Sequence, residues 1–138
     1  MRSVIEEAGL ADRITVDSAG TSTEELGRPV DRRAVAEARR RGITLEHVAW
    51  QFQPQDFDRY DVVVAADHVN LERLRRRARN DDDLAKLHLL REFDPAYDPN
   101  DDEWAGDVPD PWYGGEDGFV LVYDLIEAAC RGLVKQLR

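Results

Sequence analysis

Tyr60-Asp61-Val62-Val63-Val64-Ala65-Ala66-Asp67-His68-Val69-Asn70-Leu71 contains five apolar residues in a row, Val62 to Ala66, with no polar residue between them. A strand with one face in water alternates apolar and polar residues. An unbroken run such as this one suits a strand covered on both faces, as in a parallel sheet packed between helices. From His68 to Arg79 the pattern changes. Val69, Leu71 and Leu74 stand among arginines, which predicts a surface helix directly after the buried strand.

Working outward, Met1 to Gly9 reads as the end of a helix, with Val4, Ile5 and Ala8 on one face and Gly9 as its stop. Ile14-Thr15-Val16 is a short β-branched run predicted to be a strand feeding the small-residue turn Asp17-Ser18-Ala19-Gly20-Thr21. A second helix is expected from Asp31, a plausible N-cap, through Ala34, Val35 and Ala38 to the stop at Gly42. A loop should run from Leu45 to Pro54. Downstream of the long run, a short helix can start at Asp81 and a last strand is expected at Leu87 to Leu90. Asp94 to Asp117 is acidic, contains prolines and shows no periodicity, so it reads as loop, long enough that function or disorder is expected there. Phe119, Tyr123, Ile126, Cys130, Leu133 and Leu137 then recur at three- and four-residue steps, predicting an amphipathic closing helix. Helices alternating with strands imply an α/β fold, a three-layer sandwich with a parallel sheet.

The chain's 138 residues fit one domain, and 42% hydrophobic with 35% charged residues suits a soluble globular protein. The longest apolar runs are far shorter than the roughly 18 residues of a membrane-spanning helix. Acids interrupt the N-terminal segment before any signal-peptide core develops. A single cysteine, Cys130, cannot form an internal disulfide, which points to the cytosol. The ten acids between Glu92 and Asp117 face no Lys or Arg in that stretch and account for the whole net charge of −10. Nucleic acid is therefore not expected as the main partner, and neither is a membrane. The arginine groups at Arg32, Arg33, Arg39, Arg40, Arg41 and at Arg73, Arg75, Arg76, Arg77, Arg79 read as solvated helix surface or local positive faces.

Asp110-Pro111-Trp112-Tyr113-Gly114 can carry chemistry. A phosphate monoester leaves as an alkoxide or phenoxide, and a carboxylic acid placed at that oxygen supplies the proton that lets it depart. Asp110 is the candidate acid, and the flat side chains of Trp112 and Tyr113 suit an aromatic leaving group. The same residues also fit a plain turn in an acidic loop with Trp112 packed on the core. No metal site is expected: Asp98-Pro99-Asn100-Asp101-Asp102-Glu103 begins like a calcium loop, but Glu103 stands where the sixth-position Gly belongs and Pro109 where the closing Glu belongs. His68 and His88 have no partner pattern.

Three motifs in one order, Asp17-Ser18-Ala19-Gly20-Thr21 (followed by Gly27, Pro29, Asp31 and Arg33), Asp67-His68-Val69-Asn70-Leu71 and Asp110-Pro111-Trp112-Tyr113-Gly114, together resemble the low-molecular-weight protein-tyrosine phosphatases, and His47-Val48-Ala49 sits where that family has His-x-Ala. The resemblance covers nearly all of the chain. It implies a protein-tyrosine phosphatase that hydrolyses phosphate monoesters through a cysteinyl-phosphate without a cofactor, acting on a phosphotyrosine protein or a small aryl phosphate. Asp110 would serve as acid and then base, Trp112 and Tyr113 would bind the substrate, and Ser18 and His47 would support the phosphate loop from beneath. Glu24, where many members have an aromatic, and Trp50, where many have an arginine, depart from the pattern and bear on substrate preference.

The family's nucleophile lies in a Cys-x5-Arg-Ser/Thr loop at a helix N-terminus. Here Cys130 is followed six positions on by Gln136, and it falls on the apolar face of a predicted helix. The resemblance thus places the nucleophile ahead of Met1, with the first strand of a four-stranded sheet, and implies an N-terminally truncated domain that is inactive as written. That strand is central in the family, between the equivalents of Ile14-Thr15-Val16 and Val62 to Ala66. Without it, apolar faces and edge hydrogen-bonding groups are exposed, each buried orphan costing about 1–3 kcal/mol. The alternative is a non-catalytic phosphatase-like protein-binding module. Arsenate reduction on a related fold would need additional redox cysteines. Oligomeric state and the particular substrate are not legible in the sequence.

Overall fold

A computed structural model describes residues 1–21, 32–43, 50–98, 100, 106–109 and 115–137, the last of these with side chains from residue 120 onward. Its elements are α1 (Arg2–Glu7), α2 (Arg32–Arg40), a 3₁₀ turn (Pro54–Asp58), β1 (Val63–Ala65), α3 (His68–Arg77), α4 (Asp81–Ala85), β2 (Leu87–Leu89), a second 3₁₀ turn (Leu90–Phe93) and α5 (Gly115–Leu137). β1 and β2 pair in parallel, with Val63 opposite Leu87 and Ala65 opposite Leu89. The α/β alternation and parallel sheet match the sequence expectation.

Two apolar clusters sit on the two faces of this sheet. One joins Phe52, Phe57, Val63, Ala65, Leu71, Leu74 and Leu89, with the fully buried Phe57 edge-on to Phe52 at 5.0 Å between ring centroids. The other joins Val4 and Ile5 of α1 to Cys130 and Val134 of α5, with Ile14, Val16, Leu90 and Ile126 packed against it. Helices therefore cover both faces, which is why the apolar run from Val62 lacks polar alternation. α2 is tied to α5 by Arg41, which meets Glu37 at 3.0 Å, Asp124 at 3.0 Å and Glu127 at 3.4 Å and lies over the Tyr123 ring. Gly9 and Gly42 end their helices at φ of 72° and 75°, a backbone region that glycine enters without steric penalty.

Several elements differ from the sequence expectation. Residues 14–16 are not a strand, and the run from Tyr60 yields a strand of only three residues. A strand exists through its ladder, and among the described residues β1 pairs with β2 alone, while the segment after residue 16 contributes a single parallel bridge, Gly20 to Gln51. Pro54 opens a 3₁₀ turn instead of closing a loop, with Asp56 accepting from the Gln53 N–H at 2.8 Å. α5 begins at Gly115, inside the stretch read as loop. Val69 is exposed, because α3 turns Leu71 and Leu74 to the sheet instead. The N-cap expected at Asp31 lies outside the described residues. Among the described residues no helix is long and apolar enough to cross a membrane.

Candidate functional site at the carboxyl end of β1

The motif after the long apolar run first serves to start a helix. Asp67 caps α3 by accepting the Asn70 N–H at 2.7 Å, which satisfies one of the donors a helix leaves free at its first turn. That cap leaves the Asn70 side chain available. Its Oδ1 accepts the Thr21 hydroxyl at 2.6 Å, so the turn at residues 17–21 is held against α3. Arg77 donates to the Thr21 carbonyl and Arg73 to its hydroxyl, while the Gly20 N–H donates to the Trp50 carbonyl at 2.7 Å. At the other end of this turn Asp17 accepts from the Ser18 N–H at 2.8 Å. Ser18 is exposed and lines a cavity of about 280 Å³ together with Asp17, Thr21, Phe52, Val64 and Asn70.

Residues 106–109, which lead into Asp110, dock at the same end of the sheet. The Val108 N–H donates to the carbonyl of Ala66 at 2.7 Å, one residue past β1. Asp107 Oδ1 accepts the His68 backbone N–H at 2.8 Å and contacts the ring Nδ1 at 2.5 Å, and Arg91 donates to the Asp107 carbonyl at 3.0 Å. A Cβ at Gly106 would lie 2.6 Å from Leu89 Cδ1, so a side chain there requires Leu89 to move. Two of the sequence motifs and the segment that precedes the third thus reach the carboxyl end of β1, where open α/β sheets place their ligands.

His68 and Asp107 were not singled out by sequence as partners. They stand 39 positions apart, and no helical or strand spacing links them. The only local hint is that His68 follows an N-cap aspartate and Asp107 precedes a candidate acid by three. Hydrogen bonds to charged groups contribute about 1.5–3 kcal/mol. Asp107→Asn is therefore expected to speed hydrogen exchange at the Val108 amide by about tenfold or more, while the amides of β1 and β2 change little. Unchanged exchange at Val108 would mean that the Ala66 carbonyl alone holds this segment.

Asp110, Trp112, Tyr113, His47 and Glu24 lie outside the described residues. Cys130 is described. It is buried on α5 against α1, and burial pushes its thiol above the usual range, which keeps it protonated and unreactive at neutral pH. Among the described residues no group of three His, Cys, Asp or Glu side chains is arranged to hold a metal ion.

Residues 1–138 match the family model described as low molecular weight phosphotyrosine protein phosphatase. A low molecular weight protein-tyrosine-phosphatase of Streptomyces coelicolor is 44% identical over 137 residues, 99% of this chain and 81% of the relative. The human low molecular weight phosphotyrosine protein phosphatase is 31% identical over 136 residues, 98% of this chain and 82% of the relative. Among solved structures, a protein tyrosine phosphatase from Entamoeba histolytica with Hepes in its active site superposes with a TM-score of 0.88 at 29% identity, covering 99% of this chain and 83% of the other. Vibrio vulnificus Wzb in complex with benzylphosphonate gives 0.76 at 26% identity, covering 96% and 85%. Family model, shared sequence and shared fold agree: the chain belongs to the low molecular weight phosphotyrosine protein phosphatase family.

Proposed function

We propose that this chain is the acid–base part of a protein-tyrosine phosphatase, acting on a phosphotyrosine protein or small aryl phosphate, with its nucleophile in a polypeptide segment ahead of residue 1. The observation that carries this is the docking of residues 106–109 on the end of β1, beside the turn at residues 17–21. Ala66, which accepts from the Val108 N–H, also lines the cavity that Ser18 lines, which supports a place for Asp110 near that cavity. The benzylphosphonate bound to Vibrio vulnificus Wzb, an aromatic ring one carbon from phosphorus, is the kind of ligand that Trp112 and Tyr113 suit.

In this reading a cysteine thiolate attacks phosphorus, the bond to the aryl oxygen breaks, and Asp110 gives that oxygen its proton. The Asp110 carboxylate then takes a proton from the water that attacks phosphorus. The sulfur–phosphorus bond breaks and inorganic phosphate leaves. Ser18 and His47 hold the phosphate loop in shape, and no cofactor enters. The setting is the cytosol, where a catalytic thiol stays reduced. Cys130 takes no part, being buried, protonated and without an arginine six positions on.

The test is the intact mass of the protein from its native cell, followed by phosphate release from phosphotyrosine. A mass above 15.8 kDa, with Cys-x5-Arg-Ser/Thr ahead of residue 1 and turnover by that longer form alone, is the expected result. A mass matching these 138 residues would sink the catalytic reading and leave a protein-binding module.

A further inference from the structure

Contacts from three different elements meet on Asp107 and Val108. His68, the first residue of α3, gives its backbone N–H to Asp107 Oδ1 at 2.8 Å and turns its ring Nδ1 to the same oxygen. The Val108 N–H reaches the Ala66 carbonyl just past β1 at 2.7 Å, and Arg91 of the second 3₁₀ turn holds the Asp107 carbonyl at 3.0 Å. A carboxylate can only accept, so the ring presents Nδ1–H to it. The ring is 35% exposed and the Asp107 side chain 24%, so their contact is partly shielded from competing water.

The contact is anchored at its other end as well. Asp67 caps α3 through the Asn70 N–H, which fixes the backbone from which the His68 ring projects. Downstream of Asp107 the chain is stiff. Only Val108 and Pro109 separate Asp107 from Asp110 in the sequence. The proline ring holds its own φ at about −65°, and the residue before a proline is confined to extended backbone, the more so when it is β-branched. A displacement of Asp107 is therefore passed on toward Asp110 and not absorbed by a flexible link.

We propose that His68 is a positioning residue for proton transfer to the leaving group, acting through Asp107 to fix the segment that leads into Asp110, a reading that rests on the acid role proposed for Asp110. His68 exchanges no proton with the substrate in this scheme. A general acid works only within about 2.6–3.2 Å of the oxygen it protonates, and a misplacement of about 1 Å costs on the order of 10²-fold. The Ala66 and Arg91 contacts remain when the ring donor is removed. Its loss therefore costs less than loss of the acid itself, and it costs most where the leaving group depends on a proton.

The experiment compares His68→Ala, His68→Leu and His68→Asn in the N-terminally extended chain that carries the nucleophile. Alanine and leucine both remove the ring donor, and leucine keeps side-chain bulk should the alanine variant fold poorly. The asparagine amide restores an N–H close to the place of Nδ1. With phenyl phosphate, kcat should fall about tenfold in the alanine and leucine variants while KM stays within about twofold, and asparagine should return kcat to within about threefold of the parent. With p-nitrophenyl phosphate, whose leaving group departs readily as its anion, the alanine and leucine losses should not exceed about threefold. A merely structural role would lower both substrates alike. Equal losses on the two substrates, or alanine and leucine variants as fast as the parent on both, would overturn the inference and leave the catalytic reading standing. An asparagine variant as slow as alanine would also overturn it. An extended parent without turnover would overturn the catalytic reading, and this inference with it.

Discussion

In an N-terminally extended chain that carries the nucleophile, Asp110→Asn is expected to lower kcat by about 10²–10⁴-fold, the range removed with a positioned general acid or base. The loss should depend on the leaving group. A tyrosine-like phenol, with a pKa of about 10, departs poorly without a proton, whereas p-nitrophenol departs readily as its anion. A plot of log kcat/KM against leaving-group pKa should therefore be shallow for the parent and steep for the variant. The pH profile supplies a second readout with a definite sign. A general acid must be protonated to act, so the parent's kcat/KM falls as pH rises through the acid's pKa. Asparagine does not titrate, and this alkaline limb should disappear. Equal losses in kcat/KM for phenyl and p-nitrophenyl phosphate would remove Asp110 from proton transfer to the leaving group.

Gly132→Ala is the second large effect, and it separates local from tertiary control. Gly132 lies inside α5, where helix propensity alone favours alanine by about 1 kcal/mol. A Cβ at this position would lie 1.7 Å from the carbonyl oxygen of Phe93 and 2.8 Å from its carbonyl carbon. Neither contact can be relieved by turning a side chain, because both atoms belong to the backbone of the 3₁₀ turn at Leu90–Phe93. Overpacking of this kind costs about 1–3 kcal/mol, and against rigid backbone the upper end applies. The variant is thus expected to lose about 2 kcal/mol in urea unfolding, with a lower midpoint and an unchanged slope. A midpoint above the parent's would mean that α5 slides along the turn without cost. α5 starts five positions after Asp110, so a shift of this helix also bears on the segment proposed to carry the acid.

Much of this molecule was legible from local patterns. The helices at residues 2–7, 32–40 and 68–77 and the part of α5 from residue 119 onward follow from apolar spacing, with glycine stops for the first two, and β1 and β2 from short apolar runs. These depend on nearest neighbours along the chain, which is why a single sequence carries them. The three motifs were legible as an ordered set, and the structure brings Asp17 to Thr21, Asp67 to Asn70 and the approach to Asp110 to one sheet end. For Asp110, Trp112, Tyr113 and His47 the roles rest on motif and chemistry.

The rest depends on what the chain packs against. Residues 14–16 have the β-branched composition of a strand and are not one, because a strand exists through its ladder and, among the described residues, only β1 and β2 form one. The His68 link to Asp107 joins residues 39 apart, and no periodicity encodes it. At Gly132 the local preference even has the wrong sign. Residue order by itself determined the main helices, the apolar runs behind β1 and β2 and the ordered set of motifs, since these are properties of short stretches. Only the tertiary structure decided which strands pair and which partners meet at the end of β1, since these depend on distances between segments that the sequence does not contain.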